Sequence, residues 1–504
     1  MLSRGKRSKH PLAVIGDSLS QGFQNGCIYR TDLSFPAMLA RCINPSVVFK
    51  SPRFTAQAGI PLNLEVLLRG LEEEFGSEID WNNVWKAGGY TLSTLKRIKK
   101  YWQGGMKDLS VPYSQPYHNQ SVWGFAINDA WLVSAERCTK FIHTQQERFD
   151  FFDLLPNHAF YTTANLVLNP TLGHTNGTQT QLGNIEQLHK NGGIENLIVC
   201  LGHNNIKGAI TGLRLDWSEK RDLQEPPYNR TCTIYRPEHF EQEYLTLARH
   251  LSKLGIPRVF VPTLPYVTIP PILRGVNPSS KHYLSPYFDF YTRFWIWDED
   301  FDPEQHPHIT REDAIVLDQT VDAYNYTIKR IAKQFGFHVV PVASHVSSVA
   351  RRRLSNRTHP HYPEGLKAAL KKRPETRYLI NEQGALSLTT DFIRLDSATG
   401  TLCKGGIFSL DGIHPTTIGY GLMAEIYYNT MKHAGVRFNS GLDWDWIVEE
   451  DTLITRPPLL LKELRMVLRY LALGPTHGLN KIRNQLLANL VKKGDWKTIF
   501  TFSS

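Results

Sequence analysis

Residues 12–22 read Leu-Ala-Val-Ile-Gly-Asp-Ser-Leu-Ser-Gln-Gly, and this stretch decides the fold. Its apolar run ends at Gly16, and an Ala- and Leu-containing segment follows at 33–42, an order that predicts a strand, a tight turn and a helix. The turn places the Ser18 hydroxyl at the carboxyl end of the strand, where open parallel sheets bind their ligands. Ser18 is therefore a candidate nucleophile, provided that the chain also supplies a base and donors for an oxyanion.

The alternation of strand and helix recurs along the chain. Further apolar runs follow segments of helical periodicity, the pairs being 181–190 with 196–201, 240–254 with 258–262, and 312–335 with 338–342. Thr310 is placed to cap the third helix and Gly336 to end it. The pattern predicts an α/β protein with a mainly parallel sheet that has helices on both faces.

Some segments do not follow this alternation. Residues 43–115 and 264–310 are rich in Pro, Gly and aromatic residues, and we predict that they form large loop insertions at the sheet edge. Residues 380–405 are typical of a β-hairpin. After 436 the pattern changes to two amphipathic helices, one following Pro457-Pro458 and one ending near Lys493, so we predict a C-terminal helical extension over 437–504.

Composition excludes some classes of protein. Of the 504 residues, 41% are hydrophobic and 21% charged, as in an ordinary globular protein. The formal net charge is +10, but the basic clusters at 351–353 and 371–373 contain no aromatic residues, so we expect no nucleic-acid partner. The six cysteines are scattered without a Cys-x-x-Cys pair, which predicts neither a zinc site nor a redox motif.

The sequence contains no run of about 20 apolar residues, so we predict no transmembrane segment. The basic start is not followed by the long apolar stretch of a signal peptide, and we expect a cytoplasmic location unless a leader was removed. Lys462, Arg465 and Arg469 lie on the polar side of the first C-terminal helix, which leaves peripheral contact with a membrane surface open as an alternative.

Three further segments supply what a serine nucleophile needs. The segment 119–124 places Gly124 in a loop, where its N–H can turn toward a ligand. The segment Gly202-His-Asn204 follows an apolar strand and brings an amide side chain to the same sheet edge. The segment Asp411-Gly-Ile-His414 lets one turn of chain present a carboxylate and an imidazole together.

With Gly-Asp-Ser-Leu at 16–19, these segments resemble the four sequence blocks of the SGNH (or GDSL) hydrolases, a family named for a Ser, a Gly, an Asn and a His in this order. The resemblance covers about residues 11–433 and is specific only within the blocks. It implies a three-layer α/β/α flavodoxin-like fold over 11–436, with no cofactor and no metal. The implied catalytic residues are Ser18, Asp411 and His414; the oxyanion donors are Ser18, Gly124 and Asn204; Asp17 and Gly202 support them.

The chemistry is consistent with these roles. A serine alcohol is a weak nucleophile at neutral pH and needs a base in contact, which His414 can supply because imidazole takes and returns protons near that pH. Asp411 would orient the imidazole and stabilise its cation. The N–H groups of Ser18 and Gly124 and the Asn204 amide would bind the oxyanion, where losing one donor costs about 3 kcal/mol.

Alternatives accompany each block. The family usually has Gly-x-Asn-Asp where this chain has Asn205, and the Gly88-Gly89 loop competes with Gly124 for the second block but lacks the preceding Asn. Taken singly, Asp17 or Ser18 is more typical of a helix cap than of an active site. The prediction rests on all the blocks occurring in family order.

We therefore predict a carboxylic-ester hydrolase that acts through an acyl–Ser18 intermediate on a small-molecule, lipid or carbohydrate ester. An acyltransferase that uses the same intermediate, and a non-catalytic binding protein on the same fold, remain alternatives. The aromatic residues Phe35, Trp123 and Phe125 near the blocks favour an apolar wall and short to medium acyl chains.

Overall fold

The fold is described from a computed structural model of the chain. The structure describes residues 8–28, 30–46, 48–52, 54, 62–80, 83–102, 111–144, 149–150, 155–156, 158–276, 286–296, 298, 300–350, 361–396 and 399–463.

The strands in this part of the chain are β1 (Ala13–Gly16), β2 (Phe149–Asp150), β3 (Leu155–Pro156), β4 (Asn196–Cys200), β5 (Arg258–Pro262), β6 (Leu273–Val276), β7 (Phe290–Arg293), β8 (His308–Thr310), β9 (His338–Val340), β10 (Arg394–Leu395) and β11 (Leu402–Lys404). The α-helices are α1 (Ser18–Gln21), α2 (Phe35–Ile43), α3 (Leu64–Phe75), α4 (Val84–Trp102), α5 (Asp129–Leu132), α6 (Ala135–Thr144), α7 (His158–Leu168), α8 (Gln181–Lys190), α9 (Asn204–Gly212), α10 (Pro237–Leu254), α11 (Arg311–Phe335), α12 (Val342–Val349), α13 (Glu364–Lys372), α14 (Thr417–His433), α15 (Trp444–Glu450) and α16 (Thr452–Thr455).

The main sheet is parallel and has the strand order β1-β4-β5-β9. Every residue of β1 and β4 is buried. Because successive side chains of a strand point to opposite faces, complete burial requires that both faces of the sheet be covered. Helices α11 and α14 both pack on β9, with α10 packed on α11 and α2 on α14. The predicted α/β architecture with a mainly parallel sheet is confirmed.

A further segment extends the sheet beyond β1. The Val14 N–H donates to the His118 carbonyl at 2.8 Å, and the Gln120 and Val122 N–H groups donate to Val14 and Gly16 at 2.9 and 3.1 Å. The pairing is parallel. In spatial order the chain therefore runs 118–122, β1, β4, β5, β9, so that the segments ending near Gly124, Ser18 and Asn204 finish side by side at one edge.

The third predicted helix has the predicted ends. The Thr310 hydroxyl accepts from the Asp313 N–H at 3.2 Å while the Asp313 carboxylate accepts from the Thr310 N–H at 2.9 Å, a reciprocal capping box. Gly336 ends the helix with φ +72°, a backbone conformation that glycine adopts without steric cost.

The segment predicted as a loop insertion at 43–115 contains two helices, α3 and α4. Asn63 caps α3 by accepting from the Glu65 and Val66 N–H groups, and the helix buries leucines at helical spacing, which are Leu64, Leu67, Leu68 and Leu71. The prediction of loops alone was wrong here, because the surrounding Gly and Pro residues made the short periodic segment difficult to recognise. The competing Gly88-Gly89 loop is part of helix α4, so it is not a loop.

Of the other departures from the alternation, the hairpin was predicted and the small sheet within 264–310 was not. The segment 264–310 carries a small antiparallel sheet of order β6-β7-β8, and the hairpin within 380–405 is present as β10 and β11. After Pro457-Pro458 the chain forms a 3-10 turn, Leu459–Glu463, and the predicted C-terminal helices beyond it lie outside the described residues. Among the helices of the described ranges, none combines the length and apolar character needed to cross a membrane.

Candidate active site

Ser18 is the first residue of helix α1, directly after β1. The Asp17 carboxylate caps this short helix by accepting from the Leu19 N–H at 3.0 Å. A Cβ on Gly16 would lie 1.9 Å from the Ser20 hydroxyl oxygen and 3.0 Å from the Cys200 carbonyl oxygen, so only glycine fits at the end of the strand. The tight turn that the sequence predicts thus holds the nucleophile at the carboxyl edge of the sheet.

His414 and Asp411 complete a hydrogen-bonded chain with Ser18. The His414 Nε2 atom lies 2.9 Å from Ser18 Oγ, and its Nδ1 atom lies 3.0 Å from Asp411 Oδ2. Asp411 also accepts hydrogen bonds of 2.9 Å from the N–H groups of Ile413, His414 and Gly26. The three predicted catalytic residues therefore meet, although Ser18 and His414 are 396 positions apart in the sequence.

The loop that carries His414 is fixed on both sides. The Ser409 N–H donates to the His414 carbonyl at 2.7 Å, which closes the turn, and the Ile272 N–H donates to the Gly412 carbonyl at 2.7 Å. Gly412 has φ +72° and a Cβ there would lie 3.0 Å from Ile272 N, so glycine is required. The ring of Phe23 packs 4.5 Å, centroid to centroid, from the imidazole. The base thus has a defined position.

Electrostatics favour an ionised Asp411. Burial alone would raise the Asp411 pKa. The adjacent His414 imidazole and the hydrogen bonds from His414 and Ile413 lower it by more, so the net pKa is below its ordinary value. An ionised carboxylate accepts a hydrogen from Nδ1 and so leaves the Nε2 atom without one. Nε2 can then accept the proton of the Ser18 hydroxyl.

Gly124 occupies a loop that glycine alone can form. Its φ is +83°, and a Cβ there would lie 2.9 Å from the Phe160 ring. The Gln21 side chain accepts from the preceding N–H, that of Trp123, at 2.8 Å. Within the described residues, the N–H groups of Ser18 and Gly124 have no recorded partner, so both can donate to an oxyanion.

Asn204 lies at the same sheet edge, but its amide is engaged elsewhere. Its Nδ2 atom donates to the Phe125 carbonyl at 2.9 Å and lies 3.3 Å from the buried Asp17 carboxylate. Both amide hydrogens are thereby used, and the Oδ1 atom has no partner among the described residues. In this conformation Asn204 holds the loop after Gly124 in place and offers no hydrogen to a substrate.

The sequence reasoning missed a second group of residues that hold this loop. The Arg230 guanidinium donates to Asp129 Oδ2 at 3.1 Å and to Asn128 Oδ1 at 2.9 Å, while Asp129 also accepts from the Ala126 N–H at 2.7 Å. The Arg230 side chain is 8% exposed and that of Asp129 is fully buried. No sequence signal links two residues that are 101 positions apart, one at the start of the short helix α5 and the other in a loop.

The departure at Asn205 has a structural explanation. Its Oδ1 atom accepts from the Ile127 N–H at 3.2 Å, in the loop that follows Gly124. An aspartate in this position would supply the same kind of acceptor, so the loop contact is kept.

His203 lies between Gly202 and Asn204, and the sequence assigns it no role. Its Nδ1 atom lies 3.3 Å from Asp17 Oδ2, yet the approach does not meet hydrogen-bond geometry, and neither ring nitrogen has a partner in the described part of the chain. The preceding Gly202 has φ +122°, which allows the chain to turn out of β4.

Only one group of potential metal ligands occurs among the described residues, formed by Asp17, Cys200 and His203, whose ligand atoms lie within 4.8 Å of one another. Burial raises the pKa of the Cys200 thiol well above its ordinary value, and a protonated thiol is a poor ligand. The Asp17 carboxylate already accepts from Leu19 and Asn204. These residues therefore fit a metal poorly.

A cavity of about 410 Å³ opens beside the nucleophile. Ser18, Asn204 and His414 line one side of it. The remaining walls are mostly apolar and include Leu19, Ile210, Val267, Val346, Phe408 and Leu422. A pocket of this size, with a few polar groups at one side, is typical of a site for a small organic ligand.

Comparisons with known proteins do not identify the chain. Neither a scan against protein-family models nor a search of curated proteins gave a match.

Proposed function

We propose that this chain is a serine hydrolase of the SGNH type that cleaves carboxylic esters through an acyl–Ser18 intermediate. The observation that carries the proposal is the continuous hydrogen-bonded chain from Ser18 Oγ through the His414 imidazole to Asp411, with contacts of 2.9 and 3.0 Å. The strand order, counted with the segment 118–122, is the 2-1-3-4-5 order of flavodoxin-like sheets, which supports this fold assignment.

In the acylation step, Ser18 Oγ attacks the ester carbonyl carbon while His414 Nε2 takes the hydroxyl proton. The carbonyl oxygen becomes an oxyanion, which the Ser18 and Gly124 N–H groups would bind. The tetrahedral intermediate then breaks its bond to the alcohol oxygen, and His414 returns the proton to that leaving group. Asp411 stabilises the imidazolium in between.

In the deacylation step, water replaces the alcohol. His414 takes a proton from the water as its oxygen attacks the acyl–Ser18 carbonyl, and it returns a proton to Ser18 Oγ when the acid leaves. Asn204 would join the oxyanion donors only by giving up its hydrogen bond to the Phe125 carbonyl. The mechanism as proposed therefore depends first on the two backbone donors.

A fluorophosphonate probe tests the proposal directly, because an activated serine displaces fluoride and forms a stable phosphonyl ester. We expect labelling of the wild-type protein at Ser18, located by peptide mass spectrometry. We also expect Ser18→Ala to lose both labelling and p-nitrophenyl acetate turnover, the latter by about 10⁴-fold or more.

The matched control is Ser252→Ala, which removes an exposed serine hydroxyl on α10 that donates to the Arg249 carbonyl. This variant should label and turn over as the wild type does. A folded wild-type protein that takes no label, or a label on another residue, refutes the proposal and favours a non-catalytic binding protein.

A further inference from the structure

Two helices line the cavity beside Ser18, and each contributes apolar side chains to its wall. Helix α12 lines it with Val342, Val346 and Val349, which share one helix face because they are four and three positions apart. Helix α14 lines it with Leu422 and Ile426, again at a spacing of four. We call the part of the cavity that these five apolar side chains line the slot; His345 and Ser348 of α12 and Glu425 and Asn429 of α14 also line the cavity.

Other elements complete the walls. The loop after β5 contributes Pro265, Val267 and Pro270, and Ile407 and Phe408 lie near the turn that leads to His414. Polar side chains also line the cavity, among them Lys207, Tyr362 and Glu425. Of these, the Tyr362 hydroxyl already donates to the Leu388 carbonyl at 2.7 Å. Apolar side chains outnumber polar ones in the lining and therefore dominate the recognition surface.

From this arrangement we propose that the substrate is an ester with one unbranched alkyl chain, which lies in the slot between α12 and α14 while its carbonyl carbon meets Ser18. The inference rests on the proposed hydrolase function. A flexible hydrocarbon chain fits two facing rows of aliphatic side chains, whereas a sugar ring needs several converging hydrogen-bond partners. Acetylated sugars are accordingly disfavoured.

The size of the slot limits the chain length. If a methylene group takes about the volume of one water molecule, roughly 30 Å³, the cavity holds on the order of a dozen such groups. Each methylene that leaves water should improve kcat/KM about fourfold until the slot is full. Beyond that length the improvement should stop.

Two series of esters test the inference. One series lengthens the acyl chain, from p-nitrophenyl acetate to p-nitrophenyl hexadecanoate. The other lengthens the alcohol in a set of alkyl acetates, and its hydrolysis is measured by the release of acetic acid. We expect kcat/KM to rise about fourfold per methylene in one of the series and to level off near ten to twelve carbons. Values that stay flat or fall from the shortest ester in both series overturn the inference, as does faster turnover of acetylated sugars.

Wall variants localise the effect. Val346→Trp fills the slot from α12, and we expect the ratio of kcat/KM for decanoate to kcat/KM for acetate to fall by at least about tenfold. The matched control is Val316→Trp, at an exposed position on α11, which should leave the whole profile unchanged. If Val346→Trp does not fold, Leu422→Ala should instead move the plateau toward longer chains, and an unmoved plateau refutes the placement.

The two proposals fail in different ways. A folded protein without fluorophosphonate labelling and without acetate turnover refutes the hydrolase function itself. A protein that labels at Ser18 and hydrolyses acetate, but shows no dependence on chain length, retains the hydrolase function and loses only the alkyl slot.

Discussion

The two halves of the candidate site are held by different means. In the half that contains Asp411 and His414, the carboxylate is fixed mainly by N–H groups within three positions of it in the sequence. In the half that contains Gly124, the loop is held by side chains from distant segments, above all Asn204 and Arg230. The first half is therefore encoded more locally, although Gly26 and Ile272 also hold it, and the second depends more on the assembled fold.

A carboxyl group in each half also differs in its pKa. Hydrogen bonds and the neighbouring imidazole keep the pKa of Asp411 below its ordinary value. We call the hydrogen-bonded group of Arg230, Asp129 and Asn128 the Arg230 clamp. Near it, burial raises the pKa of Glu243 to about 8; the Arg230 charge opposes this effect and the Asp129 charge adds to it. In the catalytic half, Asp411 should thus stay ionised at pH 7. In the loop-holding half, Glu243 should be mostly neutral at the same pH.

The largest effect is expected from Asp411→Asn, which breaks the locally encoded half. An amide at this position would donate a hydrogen to His414 Nδ1 and so place the imidazole hydrogen on Nε2, where it blocks acceptance of the Ser18 proton. We expect kcat for p-nitrophenyl acetate to fall by about 10⁴-fold. The control, Asp445→Asn, removes an exposed carboxylate paired with Lys372 and should change kcat little. A decrease of only a few fold would contradict the proposed orientation of the imidazole.

The next effect is a loss of stability, caused by a substitution in the half that depends on the assembled fold. Arg230→Met leaves the fully buried Asp129 carboxylate without its charged partner, which costs about 3–5 kcal/mol of unfolding free energy. Urea denaturation measures this loss. The double variant Asp129→Asn with Arg230→Met should recover much of it, because no unpaired buried charge remains.

Arg330→Met is the matched control, since Arg330 pairs with Glu241 at the surface, where both side chains are more than 40% exposed. Such a pair contributes about 0–1 kcal/mol. If the two arginine variants unfold at similar urea concentrations, the clamp does not stabilise the loop as inferred.

Gly124→Ala sharpens the comparison at the oxyanion loop. The new Cβ would clash with Phe160 and requires a backbone φ that alanine avoids, so the Gly124 N–H should move away from the substrate oxygen. Loss of one such donor lowers kcat by about 10²-fold or more. Gly89→Ala is the control, because a Cβ there meets no atom within 4 Å and the position is helical. If both variants lose activity equally, the effect of Gly124 is not specific to the site.

These positions also show what the sequence could predict. Short apolar runs and their caps are local, and so β5 and α8 have the predicted bounds and α11 has the predicted cap, Thr310. The Asp411–His414 spacing is local as well. By contrast, helix α3 was not predicted, because Gly and Pro residues surround its short periodic segment.

The side-chain geometry of the loop-holding half could not be predicted in the same way. The direction of the Asn204 amide depends on the Phe125 carbonyl and on Asp17, which only the folded chain brings near it. The pairing of Arg230 with Asp129 likewise joins segments that carry no periodic pattern. A motif specifies which residue is present, but its hydrogen-bond partners follow from tertiary packing.

The most gradual effect is a pH dependence that distinguishes Glu243 from Asp411. Because the pKa of Glu243 is raised to about 8 in the folded state, the folded protein keeps a proton that the unfolded chain releases above about pH 4.5. Stability should therefore fall by up to roughly 1.4 kcal/mol per pH unit as the pH rises toward 8, and level off above it. Asp411 has the opposite sign, since its depressed pKa contributes stability that is lost only when the pH falls below about 3.8.

Glu243→Gln should remove the slope between pH 5 and 8 while leaving stability near pH 5 almost unchanged, because the amide resembles the neutral acid that the folded protein already holds. Urea denaturation across this range measures it, with Glu241→Gln as the control on the same helix, where the carboxylate is exposed and paired with Arg330. Equal slopes in the wild type and in Glu243→Gln would mean that the Arg230 charge keeps Glu243 ionised in spite of burial and of the Asp129 charge. The loop-holding half would then carry a fixed charge at neutral pH, as the catalytic half does.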